Sequence, residues 1–447
     1  MATAYSGAGG FGGNFYAMYK QVYNTRRVAI LTYNKRPFMK ELTFKDDFEG
    51  STYDHSIIFE DPQGGSANFQ TAMAQGLYSG AVMGGGSVVP APSSQGARFI
   101  INRGREYQSI QMLNEEIRAA RSDMGSLLRK KTRETNGLLN EMSRRIDIAL
   151  HGDGTGILAS FTTGSSVATN VITLDTPQLG IRFSVGMYLQ VATARPSNGI
   201  IPANFFLSTT PVQVTSVVRN SQQSTITLSA NLSTLGAATA VQYYLLKNGD
   251  ALGFGQNNIY GGVAGLKSWL PLVAPVSGDN FWGYDRSVDV QRLSGSRYIA
   301  SNGEKYESTF QNASAELELQ ASNPTTILVN PYDLNKYSQE LGNKVRYGDH
   351  EDAKTGQRTV GTIVIGQSGE MLAFADPQVD PGTFYMLDMD TLWVKSLDSV
   401  PHLINSDGND ALRDTTNTND ALTMQWRAWY QLVCDAPGKN LVGTFAP

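Results

Sequence analysis

At 447 residues the chain has material for two or three domains, and 41% hydrophobic with 17% charged residues marks it as globular but charge-poor. A net charge of -4 offers no strong field for recruiting nucleic acid, and a single cysteine excludes internal disulfides and cysteine-rich metal sites. No segment approaches the ~20 apolar residues needed to cross a bilayer, and the opening run MATAYSGAGGFGGNFYAMYK lacks a basic or apolar leader region, so cytoplasmic synthesis is expected.

Residues 1–40 carry no acid against Lys20, Arg26, Arg27, Lys35, Arg36 and Lys40, and their first part is rich in glycine. That is the composition of an arm lying across acidic surface of its own or a neighbouring subunit, or binding nucleic acid through unspecific charge. Tyr16, Tyr19 and Tyr23 fall at helical spacing and favour packing.

From 52 to 107 the chain reads as two extended runs, TYDHSIIFEDP and ARFIINRGREY, around a long tract rich in Gly, Ser, Ala and Pro. Phe99 and Ile101 alternate with Arg98 and Ile100, a strand signal, and so long a connection is usually functional or mobile. A projecting hairpin is expected.

Residues 109–156 predict one helix of about forty residues, ~60 Å long at 1.5 Å per residue. Leu113, Ile117, Ala120, Met124, Leu128, Leu138, Met142, Ile146 and Ala149 form its apolar stripe, which lapses at Lys130, Lys131, Arg133 and Glu134. The polar gap argues against a coiled coil and for a beam whose length is the useful property. HGDGTG then stops the helix, because successive glycines cost backbone entropy and tolerate left-handed caps.

Between Ser160 and Leu246 the only charged residues are Asp175, Arg182, Arg195 and Arg219, while short strands recur: NVITLDT, MYLQVAT, PVQVTSVV, STITLSA and VQYYLL. VTSVVRNSQQSTITLS predicts a hairpin about 220–223, and the whole predicts an inserted all-β module, a small barrel or sandwich. Beyond it GEKYESTFQNASAELELQ and YDLNKYSQELG predict helices, TTILVNP a short buried strand and KVRYGDHEDAKTGQRTVG a polar loop. In LTMQWRAWYQLVC, Leu422, Met424, Trp426, Ala428, Tyr430, Leu432 and Cys434 share one face of a strand, which makes Cys434 core and not nucleophile.

No dense catalytic constellation stands out. GDGTG closes a helix instead of opening one and lacks a following Lys-Ser/Thr, so it reads as a cap and not a phosphate loop. DHED at 349–352 reads as a solvated charge cluster, and NSDGND lacks the later bidentate Glu of a calcium loop. His55, His151, His350 and His402 fall in different segments without a triad context. Neither a catalytic residue, a metal nor a cofactor is expected.

Several runs resemble, in order, the major capsid proteins of tailed bacteriophages with the Hong Kong phage capsid fold. They are GARFIINRGREY, ALHGDGTGILA, FWGYDRSVDVQRLSG, NPYDLNKYSQELGNKVRYGD, DMDTLWVKSLDSVPHLI and QWRAWYQLVCDAPGKN. The resemblance runs from about residue 35 onward and is weakest in the arm and the β module. It implies an α+β fold: N-terminal arm at 1–50, extended loop at 51–108, peripheral domain with spine helix at 109–157, inserted β-barrel or sandwich at 158–252, axial domain at 253–385, and return strands of the peripheral domain at 386–447.

The resemblance further implies a non-enzymatic protein that assembles with itself as hexamers and pentamers into an icosahedral head, located in the virion. That head would enclose double-stranded DNA without sequence-specific binding, and partners would include a portal and a scaffold or decoration protein. Some fifty residues ahead of the hairpin leave little room for a fused scaffolding domain, so a separate scaffold or none is expected. Arg98, Arg103 and Arg105 at the hairpin base, with Tyr16, Tyr19 and Tyr23 in the arm, are the candidate intersubunit contacts. The alternatives are an encapsulin-like bacterial compartment shell, an enzyme using the α/β region, and a β-rich adhesin. An adhesin would ordinarily carry an export signal.

Overall fold

A ten-residue antiparallel ribbon joins the chain's first quarter to its end. In the computed structural model, residues 36–61, 66–70, 94–113, 124–195, 205–220, 222–250, 262–341, 360–364, 370–404, 412–413 and 421–446 are described. The arm, most of the hairpin tip and the 343–359 loop, with Tyr16, Tyr19, Tyr23, His350 and the DHED cluster, lie outside them.

In chain order the first elements are helix α1 (Pro37–Glu41), strands β1 (Thr43–Lys45), β2 (Thr52–Glu60), β3 (Gln95–Asn102) and β4 (Gly104–Leu113), and helix α2 (Met124–His151). Strands β5 (Ile157–Thr162), β6 (Val171–Thr173), β7 (Tyr188–Ala192), β8 (Val212–Val218), β9 (Thr225–Leu228) and β10 (Gln242–Lys247) come next. Then come helix α3 (Leu266–Trp269), strands β11 (Asn280–Phe281) and β12 (Tyr284–Asp285), helix α4 (Val290–Ser294), strand β13 (Ser296–Ile299), helix α5 (Tyr306–Glu318), strand β14 (Thr326–Val329) and helix α6 (Pro331–Leu341). The chain closes with β15 (Val360–Val364), β16 (Glu370–Ala375), β17 (Thr383–Leu387), β18 (Leu392–Ser396), β19 (His402–Leu403), β20 (Leu412–Arg413), β21 (Ala421–Cys434) and β22 (Leu441–Thr444). The class is α+β.

The first five residues of the expected beam form a strand. Residues 109–113 belong to β4, which pairs with β21 from Tyr430↔Gly104 to Ala421↔Leu113. In REYQSIQ, Arg105, Tyr107 and Ser109 are exposed while Glu106, Gln108 and Ile110 are half-buried, a period of two. Tertiary pairing therefore overrides the helical spacing of Leu113 with the residues beyond it. Among the described residues helix α2 covers 28, about 42 Å. It buries Leu138, Met142, Ile146 and Leu150 one turn apart, and ends at Gly154 (φ 78°) and Gly156 (φ 75°), where only glycine is unstrained.

Strands β2 and β3 pair as the hairpin base. One face carries His55, Ile57, Phe59, Ala97, Phe99 and Ile101, all buried, whereas Ile58, Arg98 and Ile100 point outward. Where the hairpin was expected to project with little core of its own, this base is built into the subunit. Phe99 meets the rings of Trp269 (5.7 Å), Phe281 (6.1 Å) and Tyr284 (5.9 Å) edge-on.

Three larger sheets complete the fold. The first runs β1-β18-β21-β19, with β4 and β20 also on β21. At the end of β21 both faces are buried, Gln431 and Val433 as well as Leu432 and Cys434, so the single apolar face read from the sequence holds only for its outer half. The second sheet, β5-β10-β7-β8-β9-β6, contains all five strands read in the module plus β5. Its edges β5 and β6 meet where Asp175 N donates to Ser160 O (3.0 Å), curling the sheet toward a barrel around Phe161, Phe183, Val214, Ile226 and Leu245. The third, β13-β22-β17-β14-β16-β15, is packed by α5 and α6 through Phe310, Tyr337, Phe384 and Phe445. Since β22 pairs with β13 and β17, the 386–447 segment divides between two sheets instead of returning wholly to the first.

Candidate functional site

The C-terminal end of α2 is where the helix, the β module and the third sheet converge, and buried charge collects there. Asp147 and His151 lie one turn apart on the inward face of α2, and Asp376 directly follows β16. His151 Nε2 stands 3.2 Å from Asp376 Oδ2, while its Nδ1 lies 2.9 Å from the Asp147 carbonyl oxygen. Burial alone would depress the imidazole, but Asp376 and Asp147 outweigh it and hold His151 at about 9. Burial pushes Asp147 up to about 7 against the pull of His151; Asp376, equally buried, is held low by that same ring. Gly265 packs so tightly on this helix end that a Cβ there would collide with the carbonyl oxygens of Ala149 and Leu150.

Arginines fasten the β module to this point. Arg182 is buried; it donates to Gln378 Oε1 (3.1 Å), Gln378 O (2.8 Å) and Leu158 O (3.0 Å), with Asp380 at 3.7 Å. Asp380 also pairs with Lys267, and Arg195 pairs with Asp153 in the turn after α2. Arg145 bridges Glu106 (2.8 Å) on β4 and Asp250 (2.9 Å) after β10. Burial pushes the Glu106 carboxyl up to about 7 despite Arg145. These groups flank a cavity of about 450 Å³ whose lining mixes Arg105, Arg144, Arg145 and Lys247 with Glu106, Asp153 and Asp250.

Glu106 gives the fold a pH dependence. Its folded-state value lies above the ordinary 4.5, so the folded chain holds a proton that the unfolded chain releases. This group's contribution is greatest at low pH and declines as pH rises from about 4.5 to about 7. Glu106→Gln should therefore gain stability relative to the parent on going from pH 5 to pH 8, read from urea midpoints. A constant difference between the two proteins would contradict it.

The residues singled out in the sequence are dispersed. Arg98 is exposed and pairs with Asp54 of its own chain at 2.5 Å. Arg103 lies over the rings of Phe48 (5.4 Å) and Trp429 (5.8 Å), so it is held within the subunit. Arg105 is exposed at the cavity lining. Cys434 is buried and its thiol is pushed up to about 12, which removes it as a nucleophile. The convergence at His151 was not foreseen. Its one local signal is the i, i+4 spacing of Asp147 and His151, which puts both on one helix face; Asp376 is far away in the sequence and joins them only through the fold.

No protein-family model matches the chain, and no curated protein matches it. Among solved structures it is similar to the cyanophage A-1(L) capsid asymmetric unit at 10% identity and a TM-score of 0.47, over 95% of this chain and 98% of that one. It is similar to the capsid of an empty GTA particle at 8% identity and a TM-score of 0.42, over 95% and 100% of the two chains. The holo-SrpI encapsulin complex from Synechococcus elongatus gives 8% identity and a TM-score of 0.42, over 96% and 94%. At this degree of likeness the chain's own residues must carry any functional reading.

Proposed function

We propose that this chain is a shell subunit, the major capsid protein of a tailed bacteriophage, which assembles with itself as hexamers and pentamers around double-stranded DNA. The observation that carries the reading is apolar surface left uncovered in many places at once. Val273 (80% exposed), Leu319 (77%), Val276 (74%), Ile58 (72%) and Ile299 (69%) stand out from the hairpin base, from the loop after α3 and from elements at the rim of the third sheet. Scattered apolar residues are ordinary, but a contiguous stretch such as PLVAPV with Leu272, Val273 and Val276 all exposed fits a surface that other copies cover. The order of the capsid-like sequence runs supports the same reading. Charge poverty is in keeping with a wall that does not grip DNA through many phosphate contacts. We read no enzymatic role in it.

Electron microscopy of the expressed full chain tests this. Closed icosahedral shells are expected, and a chain that stays monomeric at every concentration would overturn it. Nuclease-protected DNA within particles from infected cells separates a phage head from an encapsulin-like compartment with protein cargo.

The shell should be held without covalent welds. The sequence from Asp46 to Arg129 contains no lysine, so the hairpin has no amine for an isopeptide bond, and Cys434 is buried and alone. Particles boiled in detergent should run as single chains of 48.5 kDa. A ladder that survives reductant would contradict this.

A further inference from the structure

We propose that Asp147, His151 and Asp376 form a binding site for a divalent transition metal of the zinc type, which pins the end of α2 to the third sheet. Each offers one donor atom, and the three atoms lie within 4.8 Å of one another. Their side chains are 4%, 1% and 0% exposed, and Asp147 Oδ1, His151 Nε2 and Asp376 Oδ2 each lack a well-aligned hydrogen bond. Buried polar atoms in native proteins rarely remain so, and three gathered this closely call for a shared occupant.

The ring orientation favours a metal. With Nδ1–H donating to the Asp147 carbonyl, Nε2 faces Asp376, and a metal would take the place of the proton there; a ligand histidine is oriented in this way, its other nitrogen bonded to a carbonyl or carboxylate. The Nε2 to Oδ2 separation of 3.2 Å is close to the edge of a tetrahedron with ~2.0–2.1 Å metal bonds, roughly 3.3 Å. Asp376 Oδ1 is engaged by the Gln378 N–H at 2.9 Å, which fixes the carboxylate with Oδ2 turned toward His151.

Charge points the same way. Two carboxylates and a neutral imidazole sum to a charge that a divalent ion cancels, with Arg36 and Arg182 as the nearby cations. The nearby guanidinium of Arg36 is engaged with the Asn140 carbonyl, and that of Arg182 with Leu158 and Gln378. Imidazole with carboxylate suits zinc and cobalt better than magnesium or calcium, which prefer all-oxygen sites.

The test uses the full chain, stripped with EDTA, then equilibrated with zinc and desalted. Metal analysis should find one zinc per chain, and cobalt in its place should give the intense visible bands of a low-coordinate site. Asp376→Asn and His151→Gln should each weaken zinc affinity at least ~10-fold, while His350→Ala and His402→Ala should leave it unchanged. Should the ligand variants fail to fold, the thermal midpoint of the unmodified chain decides: zinc should raise it above its value in EDTA. No retained zinc and no thermal shift would mean a triad held by a proton alone and would overturn the site. Binding that tracks His350, or that survives Asp376→Asn unchanged, would overturn it equally.

Discussion

Trp269→Ala should destabilise the subunit by about 3–5 kcal/mol, enough to abolish a soluble folded chain or shift its urea midpoint far downward. Trp269 is fully buried in α3, wedged between the hairpin base and the first sheet. Its ring meets Phe281 at 5.0 Å, Phe99 at 5.7 Å and His55 at 6.4 Å, all edge-on, and its indole N–H donates to the Leu432 carbonyl at 3.0 Å. Truncation opens a cavity lined by rigid rings that cannot collapse, and strands a buried carbonyl. Trp269→Phe separates the two effects, since it keeps most of the packing and loses only the hydrogen bond. It should cost about 1–2 kcal/mol. If the alanine variant unfolds within about 1 kcal/mol of the parent, Trp269 is not the residue that holds the hairpin base to the first sheet.

Local periodicity made much of this fold legible. The alternation in ARFIIN matches a strand whose Ala97, Phe99 and Ile101 are buried while Arg98 and Ile100 are not. The module's strands appear because β-branched runs between polar turns have few alternatives. What failed were places where distant segments decide. Residues 109–113 keep a helical spacing with the run that leads into α2, yet the ladder of β4 with β21 makes them a strand. The crossing of β22 into the third sheet is likewise a long-range pairing with no local signature. Gln431 on β21 reads as a solvent-facing residue and is buried, because its partners come from elsewhere in the chain.

The buried junction was still less visible. Arg182 is one of four charged residues in a long polar stretch, and nothing around PQLGIRF announces that it inserts into another unit. Arg98, Arg103 and Arg105 stand out in the sequence by their place at the hairpin base, and the first two also make contacts within the subunit. Charged residues that matter here are isolated in sequence and gathered in space, the reverse of what a motif search rewards. They also bear on the module's independence. Residues 158–252 have their own apolar core, which supports a separable unit, but four arginines, Arg144, Arg145, Arg182 and Arg195, tie that unit to α2 and to its flanks.

Arg182→Met should therefore cost about 3–5 kcal/mol, although it preserves much of the side chain's volume. The guanidinium satisfies two backbone carbonyls and a side-chain amide in the interior and faces Asp380. Burial holds its pKa below the ordinary 12.5. Yet it stays a cation because the acids nearby offset that burial in part, and removing it takes away one of the two cations paired with Asp380. The orphaned carbonyls of Leu158 and Gln378 cannot reach water without the module lifting away. Lifting is then the cheaper response, and it should show as two unfolding steps where the parent has one. Hydrogen exchange locates the effect: amides around Pro177–Arg182 and Gln378 should lose protection while the barrel strands β7 to β9 keep theirs. A single transition at the parent's midpoint would show that Arg182 does not pin the module.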